Sequence, residues 1–207
     1  MDGRKHALAT QRNREPILKV LLEVLPPTGT ILEIASGTGE HAAYFAPRLK
    51  PRKWIPSDKD TSLRESIIAW AKHSPSENLY HPLDIDASQP TWQVEKEILS
   101  EIPDISAMVN INMIHISPWS ACLGLITAAG RILRSGGVMY LYGPYKQGGK
   151  HTAPSNAAFS EYLQEQNSEW GVRNLEDVVE VAQNNHLALQ ETYQMPANNL
   201  SLVFKHT

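Results

Sequence analysis

A single cysteine, Cys122, stands in a chain of 207 residues. That scarcity excludes an internal disulfide and any zinc site built from several thiolates. A basic excess is also missing: 19 Lys and Arg face 22 Asp and Glu, for a formal net charge of −3. Nucleic-acid-binding faces usually need the opposite balance, so the expectation is no nucleic-acid partner, although a local basic groove would be compatible with these totals. The sequence holds no run of about 18 apolar residues for a membrane span. No basic-then-apolar leader opens it, and neither internal repeats nor low-complexity linkers interrupt it. What is present is an ordinary globular composition, 42% apolar and 20% charged. The length suits one domain, 1–207, able to bury a core without metal or disulfide staples. A protein of a reducing, cytoplasmic environment, away from membranes, is the expectation.

Short apolar strands alternate with helical patterns along most of the chain. Pro16 fits a first helical turn, followed by Ile17, Leu18, Leu21, Leu22 and Leu25 at helical spacing. Strands are expected over Thr30–Ala35, Lys53–Ser57, Leu79–Ile85, Ile105–Ile116 and Val138–Tyr142. Pro56 and Pro82 weaken the second and third, because proline cannot donate to a ladder. Helices are expected over Glu40–Leu49, from Asp60 or Thr61 through Ala71, over Thr91–Glu101, and from Ser117-Pro118 to Arg134. Two more follow near Asn156–Gln166 and Leu175–Asn184. The end departs from this alternation: Leu187–Gln194 and Leu200–Lys205 are separated by Met195–Asn199 alone. So short a link allows a hairpin and no helical crossover, which makes these two strands antiparallel. The rest predicts a parallel sheet with helices on both faces.

The segment Ile31-Leu32-Glu33-Ile34-Ala35-Ser36-Gly37-Thr38-Gly39-Glu40-His41 takes a strand through a small-residue turn into a helix. Small residues admit a ligand close to the backbone, and a helix N-terminus offers free N–H groups with the positive end of the dipole. Asp58 follows the second strand, where a carboxylate can accept hydrogen bonds from both hydroxyls of a ribose. Gly37-x-Gly39-x-x-Ala42 also meets the loose dinucleotide fingerprint, so the loop alone is ambiguous. Glu33 inside the first strand, Asp84 at the end of the third and the terminal hairpin favour the other reading. Together these features resemble class I S-adenosylmethionine-dependent methyltransferases, whose first motif reads acidic-x-Gly-x-Gly-x-Gly. Ala35 stands where the first glycine is usual, a mild departure if its φ is negative.

A narrower resemblance runs nearly end to end. Arg12-Asn13-Arg14-Glu15-Pro16-Ile17-Leu18, Asn112-Met113-Ile114-His115-Ile116-Ser117-Pro118-Trp119, Trp170-Gly171-Val172-Arg173 and Met195-Pro196-Ala197-Asn198-Asn199-Leu200 look like signature blocks of the methyltransferase-like family called twenty-six in animals. The broader resemblance implies an α/β, Rossmann-like, seven-stranded doubly wound sheet of order 3-2-1-4-5-7-6 with strand 7 antiparallel. It implies S-adenosyl-L-methionine as cofactor. Glu33 would orient its amino group, and Ala35, Ser36, Gly37 and Gly39 would pass along its methionine portion. Asp58 would hold the ribose, Asp84 and Ile85 would frame the adenine, and Asn112 would face the transferable methyl. The acceptor is expected to be a small molecule with an O, N or S nucleophile. The alternatives are a non-catalytic, partner-binding module on the same fold and an NAD-dependent reductase, although no Tyr-x-x-x-Lys pair supports the latter.

Several residues carry two readings each. Asp58 can cap the next helix, and Asp86 shares the side of the strand that Asp84 faces. His115, beside the expected methyl position, is either the general base or a histidine bonded to a neighbouring carbonyl. Tyr145 lines an acceptor pocket or covers the core. Asn198 and Asn199 contact the acceptor or simply suit the turn. Arg12, Asn13 and Arg14 form a frayed terminus or a lid that meets the cofactor's carboxylate.

Overall fold

The computed structural model describes residues 2–92, 95 and 105–207. The helix expected over Thr91–Glu101 lies almost wholly outside them. Six α-helices are described: α1 (Leu8–Val24), α2 (Glu40–Phe45), α3 (Thr61–His73), α4 (Trp119–Ile132), α5 (Pro154–Gln166) and α6 (Leu175–Gln183). The strands are β1 (Thr30–Ile34), β2 (Lys53–Pro56), β3 (Ile105–Ile111), β4 (Val138–Gly143), β5 (Tyr145–Gln147), β6 (Lys150–His151), β7 (Arg173–Asn174), β8 (Leu187–Met195) and β9 (Asn199–His206).

Six strands form the central sheet in the order β2-β1-β3-β4-β9-β8. β2, β1, β3 and β4 run parallel, while β9 is antiparallel to both β4 and β8. The expected antiparallel hairpin strand therefore sits inside the sheet, between β4 and β8. The expected third strand, Leu79–Ile85, does run parallel beside β2, but only as isolated bridges at Trp54–Leu79 and Ser57–Leu83, which leaves six strands in place of the expected seven. Pro56 and Pro82 each remove a donor, and no regular ladder can form across that gap. A small second sheet, β6-β5-β7, folds residues 145–151 into a hairpin beside β7.

Two apolar layers sandwich the sheet, and period-two alternation assigns the side chains. On β4, Met139 and Leu141 face α4 and α6, meeting Leu125, Ile126 and Val178. Val138 and Tyr140 face the other way, toward Ile17 and Leu21 of α1 and Phe45 of α2. Strands buried on both faces explain the near-continuous apolar runs in the sequence.

α1 begins eight residues before Pro16, so the proline lies inside the helix and not in its first turn. It leaves the Arg12 carbonyl without an intrahelical donor. The buried stripe of Ile17, Leu18, Val20 and Leu21 outweighs that loss. Arg12, Asn13 and Arg14 consequently belong to an ordered helix. No described helix is long and apolar enough to cross a membrane.

Candidate functional site

At the carboxyl ends of β1, β2 and β3 lies a cavity of about 450 Å³. Its floor starts with the turn after β1. Ser36 is fixed from two sides: its N–H donates to the Ser57 carbonyl at 2.7 Å, and its Oγ accepts from the Ser57 N–H at 3.1 Å. Ala35 has φ 55, against the expectation of a negative value. The same left-handed turn serves here with a side chain attached, at a cost of about 1–2 kcal/mol. Gly37 (φ 58) has open space where a Cβ would project, whereas Gly39 does not. A Cβ at Gly39 would stand 2.7 Å from Ile67 Cα, so this glycine lets α2 approach α3 and lies away from the cavity.

Glu33 reaches the cavity from inside β1, and its side chain is almost fully enclosed. Trp54 Nε1 donates to its Oε2 at 3.0 Å. Burial nevertheless pushes its carboxyl from the usual 4.5 up to about 7, with Trp54 and Ser36 opposing the rise. Asp58 accepts from the N–H groups of Gly37 and Asp60, both at 3.0 Å, and burial raises its pKa despite them. Helix α3 is capped instead by Asp60, which accepts from the Ser62 N–H at 2.7 Å. Asp58 is thereby left for the cavity.

The segment from residue 84 to 87 resolves the choice between two aspartates. Asp84 points outward and pairs with Arg64 at 3.0 Å, and it does not line the cavity. Ile85, Asp86 and Ala87 do. Asp86 is held inward by the N–H and hydroxyl of Ser88, at 3.0 and 2.7 Å. The Asp-Ala-Ser turn after Ile85 is the local signal for it.

β3 stops at Ile111 and not at Ile116. Asn112 adopts φ 65, which asparagine tolerates, and Met113–His115 close a 3-10 turn behind it. Asn112 lines the cavity and is held by its N–H donating to the Tyr142 carbonyl at 2.8 Å. His115, in contrast, is fully buried beneath the turn and does not line the cavity. Its Nδ1 accepts from the Arg173 N–H at 3.4 Å, and its ring meets Tyr145 edge-on at 5.0 Å. Burial drives its pKa down to about 3, so it is neutral. Gly143 leaves it room: a Cβ there would lie 2.4 Å from Nε2. Tyr145 is likewise fully buried in the core, away from the cavity.

Arg173 ties the turn to the segment before β7, donating to the carbonyls of Ile114 (2.8 Å) and Ser117 (2.6 Å). The Gly171 N–H reaches the His115 carbonyl at 2.9 Å, which leaves Trp170 against the cavity. Two of the sequence blocks, 112–119 and 170–173, are thus one packed unit. On the opposite side, residues 5–7 strap across α2 and α3. Lys5 N–H donates to Ser66 Oγ (2.8 Å) and Ala7 N–H to Glu40 Oε2 (2.5 Å), and Ala7 and Thr10 complete the wall.

The described structure therefore brings together Glu33, Ala35, Ser36, Gly37, Asp58, Ile85 and Asn112. Gly39, Asp84, His115 and Tyr145 stand outside the cavity, Asn199 lines a neighbouring one, and exposed Asn198 bonds to Ser155. Sequence reasoning missed Ala7 and Thr10 as wall residues.

The profile of the family described as "Protein of unknown function (DUF938)" matches residues 4–206. The chain belongs to this family. Solved structures of similar fold include an O-methyltransferase family protein from Burkholderia thailandensis, with a TM-score of 0.77 at 14% identity over 96% of this chain and 57% of that one. An O-methyltransferase family 2 protein from Planctomyces limnophilus, in complex with apigenin, gives 0.75 at 16% over 97% and 58%. Human N-acetylserotonin methyltransferase in complex with SAM gives 0.71 at 13% over 95% and 52%. This DUF938 chain spans little more than half the length of those structures. At such identities the likeness shows the fold, that of class I S-adenosylmethionine-dependent methyltransferases, with a six-stranded central sheet.

Proposed function

We propose that the cavity binds S-adenosyl-L-methionine and that the protein is a methyltransferase acting on a small molecule. One observation carries this: Glu33 of β1, Gly37 in the turn after it, and Asp58, Ile85 and Asn112 from three other segments converge on one cavity. The donor set suits the nucleoside. Asp58 offers carboxylate lone pairs to a ribose diol, and the open space at Gly37 admits a chain along the backbone. Ile85 and Ala87 give an apolar slot for a purine, with Asp86 at its edge. Glu33, poised near neutrality, attracts an amino group directly or through Ser36. When bound, the cofactor supplies a methyl group on a positively charged sulfur. The protein's part is positioning and exclusion of water, with Asn112 at the junction with the acceptor side and the residue 5–7 strap and Trp170 as walls.

His115 holds the Asn112 turn in place in this reading and exchanges no proton with an acceptor. Its seclusion also favours a second reading, a cofactor-binding module without turnover, which release of S-adenosylhomocysteine in an acceptor screen would exclude. Kinship with the methyltransferase-like family twenty-six is proposed on the same sequence blocks, two of which pack together around Arg173.

Asp58→Ala tests the site. It should weaken S-adenosylhomocysteine binding by more than tenfold, about 1.4 kcal/mol, through lost ribose hydrogen bonds. Unchanged affinity in a folded variant would remove Asp58 from the site and undo this reading.

A further inference from the structure

A second cavity of about 470 Å³ adjoins the first. Among the described residues the two share Ala9, Asn112 and Ile116. Its walls come from α1, the end of β4, α5 and the β8–β9 link. Among the described residues that line it, one side chain is charged, Arg12, and none is acidic. Arg12 makes no hydrogen bond or ion pair to any described residue. Its neighbours are engaged: Arg14 stacks on the Tyr44 ring at 4.6 Å, and Glu15 accepts from the Tyr44 hydroxyl. Phe159 of α5 shares the same cavity and keeps 38% of its surface open. An unpaired guanidinium and a bare aromatic ring are therefore lodged in one concavity.

The walls between them are built rigidly. Asn13 receives a 2.8 Å hydrogen bond from His41 Nε2, whose burial keeps it neutral. The Asn199 side chain donates to the Pro196 carbonyl at 3.0 Å, within the same link. Ala197 and Asn198 both adopt φ 58, a conformation that side chains disfavour. Asn156 Nδ2 holds that turn through the Asn198 carbonyl at 2.9 Å. Backbone held in a disfavoured conformation at a cavity wall indicates a shape that the surroundings enforce. A cation in such a concavity, with no carboxylate among the described residues that line it, concentrates positive potential there.

We infer that this second cavity is the acceptor site and that it selects small aromatic acids, with Arg12 taking the anionic group and Phe159 the ring face. Guanidinium geometry matches a planar anion with two parallel N–H bonds. The acceptor role rests on the assignment of the first cavity to the cofactor. The anion site itself does not.

The test uses the full chain with 4-fluorobenzoate and its neutral counterpart 4-fluorobenzamide, followed by fluorine NMR. S-adenosylhomocysteine is titrated into the same samples by calorimetry. The acid should bind saturably and at least about tenfold more tightly than the amide. Arg12→Gln should bring the acid down to the level of the amide and leave the nucleoside affinity unchanged, and Phe159→Ala should weaken both probes. Arg12 is exposed, so its replacement leaves the core intact. No binding of the acid, equal binding of acid and amide, or an acid affinity indifferent to Arg12→Gln would overturn the inference. So would an Arg12→Gln variant that loses the nucleoside and keeps the acid, because Arg12 would then serve the cofactor. If the acid binds through Arg12 and the nucleoside does not bind at all, the anion site stands and the cofactor assignment falls.

Discussion

Glu33→Gln isolates the cost of a buried carboxylate that the site maintains. Glu33 is enclosed within β1, and burial holds its pKa at about 7 rather than 4.5. A carboxyl whose folded pKa is raised binds more protons folded than unfolded between those two values. Stability must then fall as pH rises from about 4.5 to about 7, and level off above. The full displacement corresponds to about 3 kcal/mol. Glutamine keeps the volume and can still accept from Trp54 Nε1, so the variant loses the titration and little else. Urea denaturation of both proteins between pH 4.5 and 8.5 measures this, and subtracting the two curves cancels the other titrating groups. The variant should gain on the wild type by about 3 kcal/mol across that range, with most of the change complete by pH 8. A difference independent of pH would refute the buried, protonatable Glu33. The same variant should bind S-adenosylhomocysteine more weakly, the signature of a residue kept at a stability cost for its ligand.

Two further substitutions probe the turns that shape the cavity. Ala35→Gly should stabilise the protein by up to about 1 kcal/mol in the same denaturation assay, because relief of the left-handed alanine exceeds the added freedom of the unfolded chain; a loss of stability would contradict the turn geometry. Gly143→Ala should destabilise by about 1–3 kcal/mol and disturb the Asn112 turn, since the new methyl meets the His115 ring; an unchanged melting temperature would contradict that packing.

Much of the fold was legible because strand and helix periods are local. The glycine turn after β1, the alternation that builds the parallel sheet and the terminal hairpin all follow from residues close in sequence. The misjudged elements depend on distant partners. Pro16 reads as a helix start, yet the apolar stripe beyond it is buried against α2 and the sheet, and that burial carries the helix through the proline. Met113 and Ile114 prolong an apolar run, so the chain's turn at Asn112 is hidden; it is fixed by Tyr142, thirty residues away. Asp84 and Asp86 look equivalent until Arg64 draws one outward and Ser88 holds the other in. His115 and Tyr145 are polar groups at strand ends, a pattern that suggests chemistry, and only the packing of the 170–173 segment shows both enclosed.

Calorimetric titration of the protein with S-adenosylmethionine, S-adenosylhomocysteine and NAD in parallel addresses the central claim most directly. Saturable binding of both sulfur nucleosides with no heat from NAD is the predicted result. Silence from the sulfur nucleosides in a folded sample, or binding of NAD alone, would contradict it.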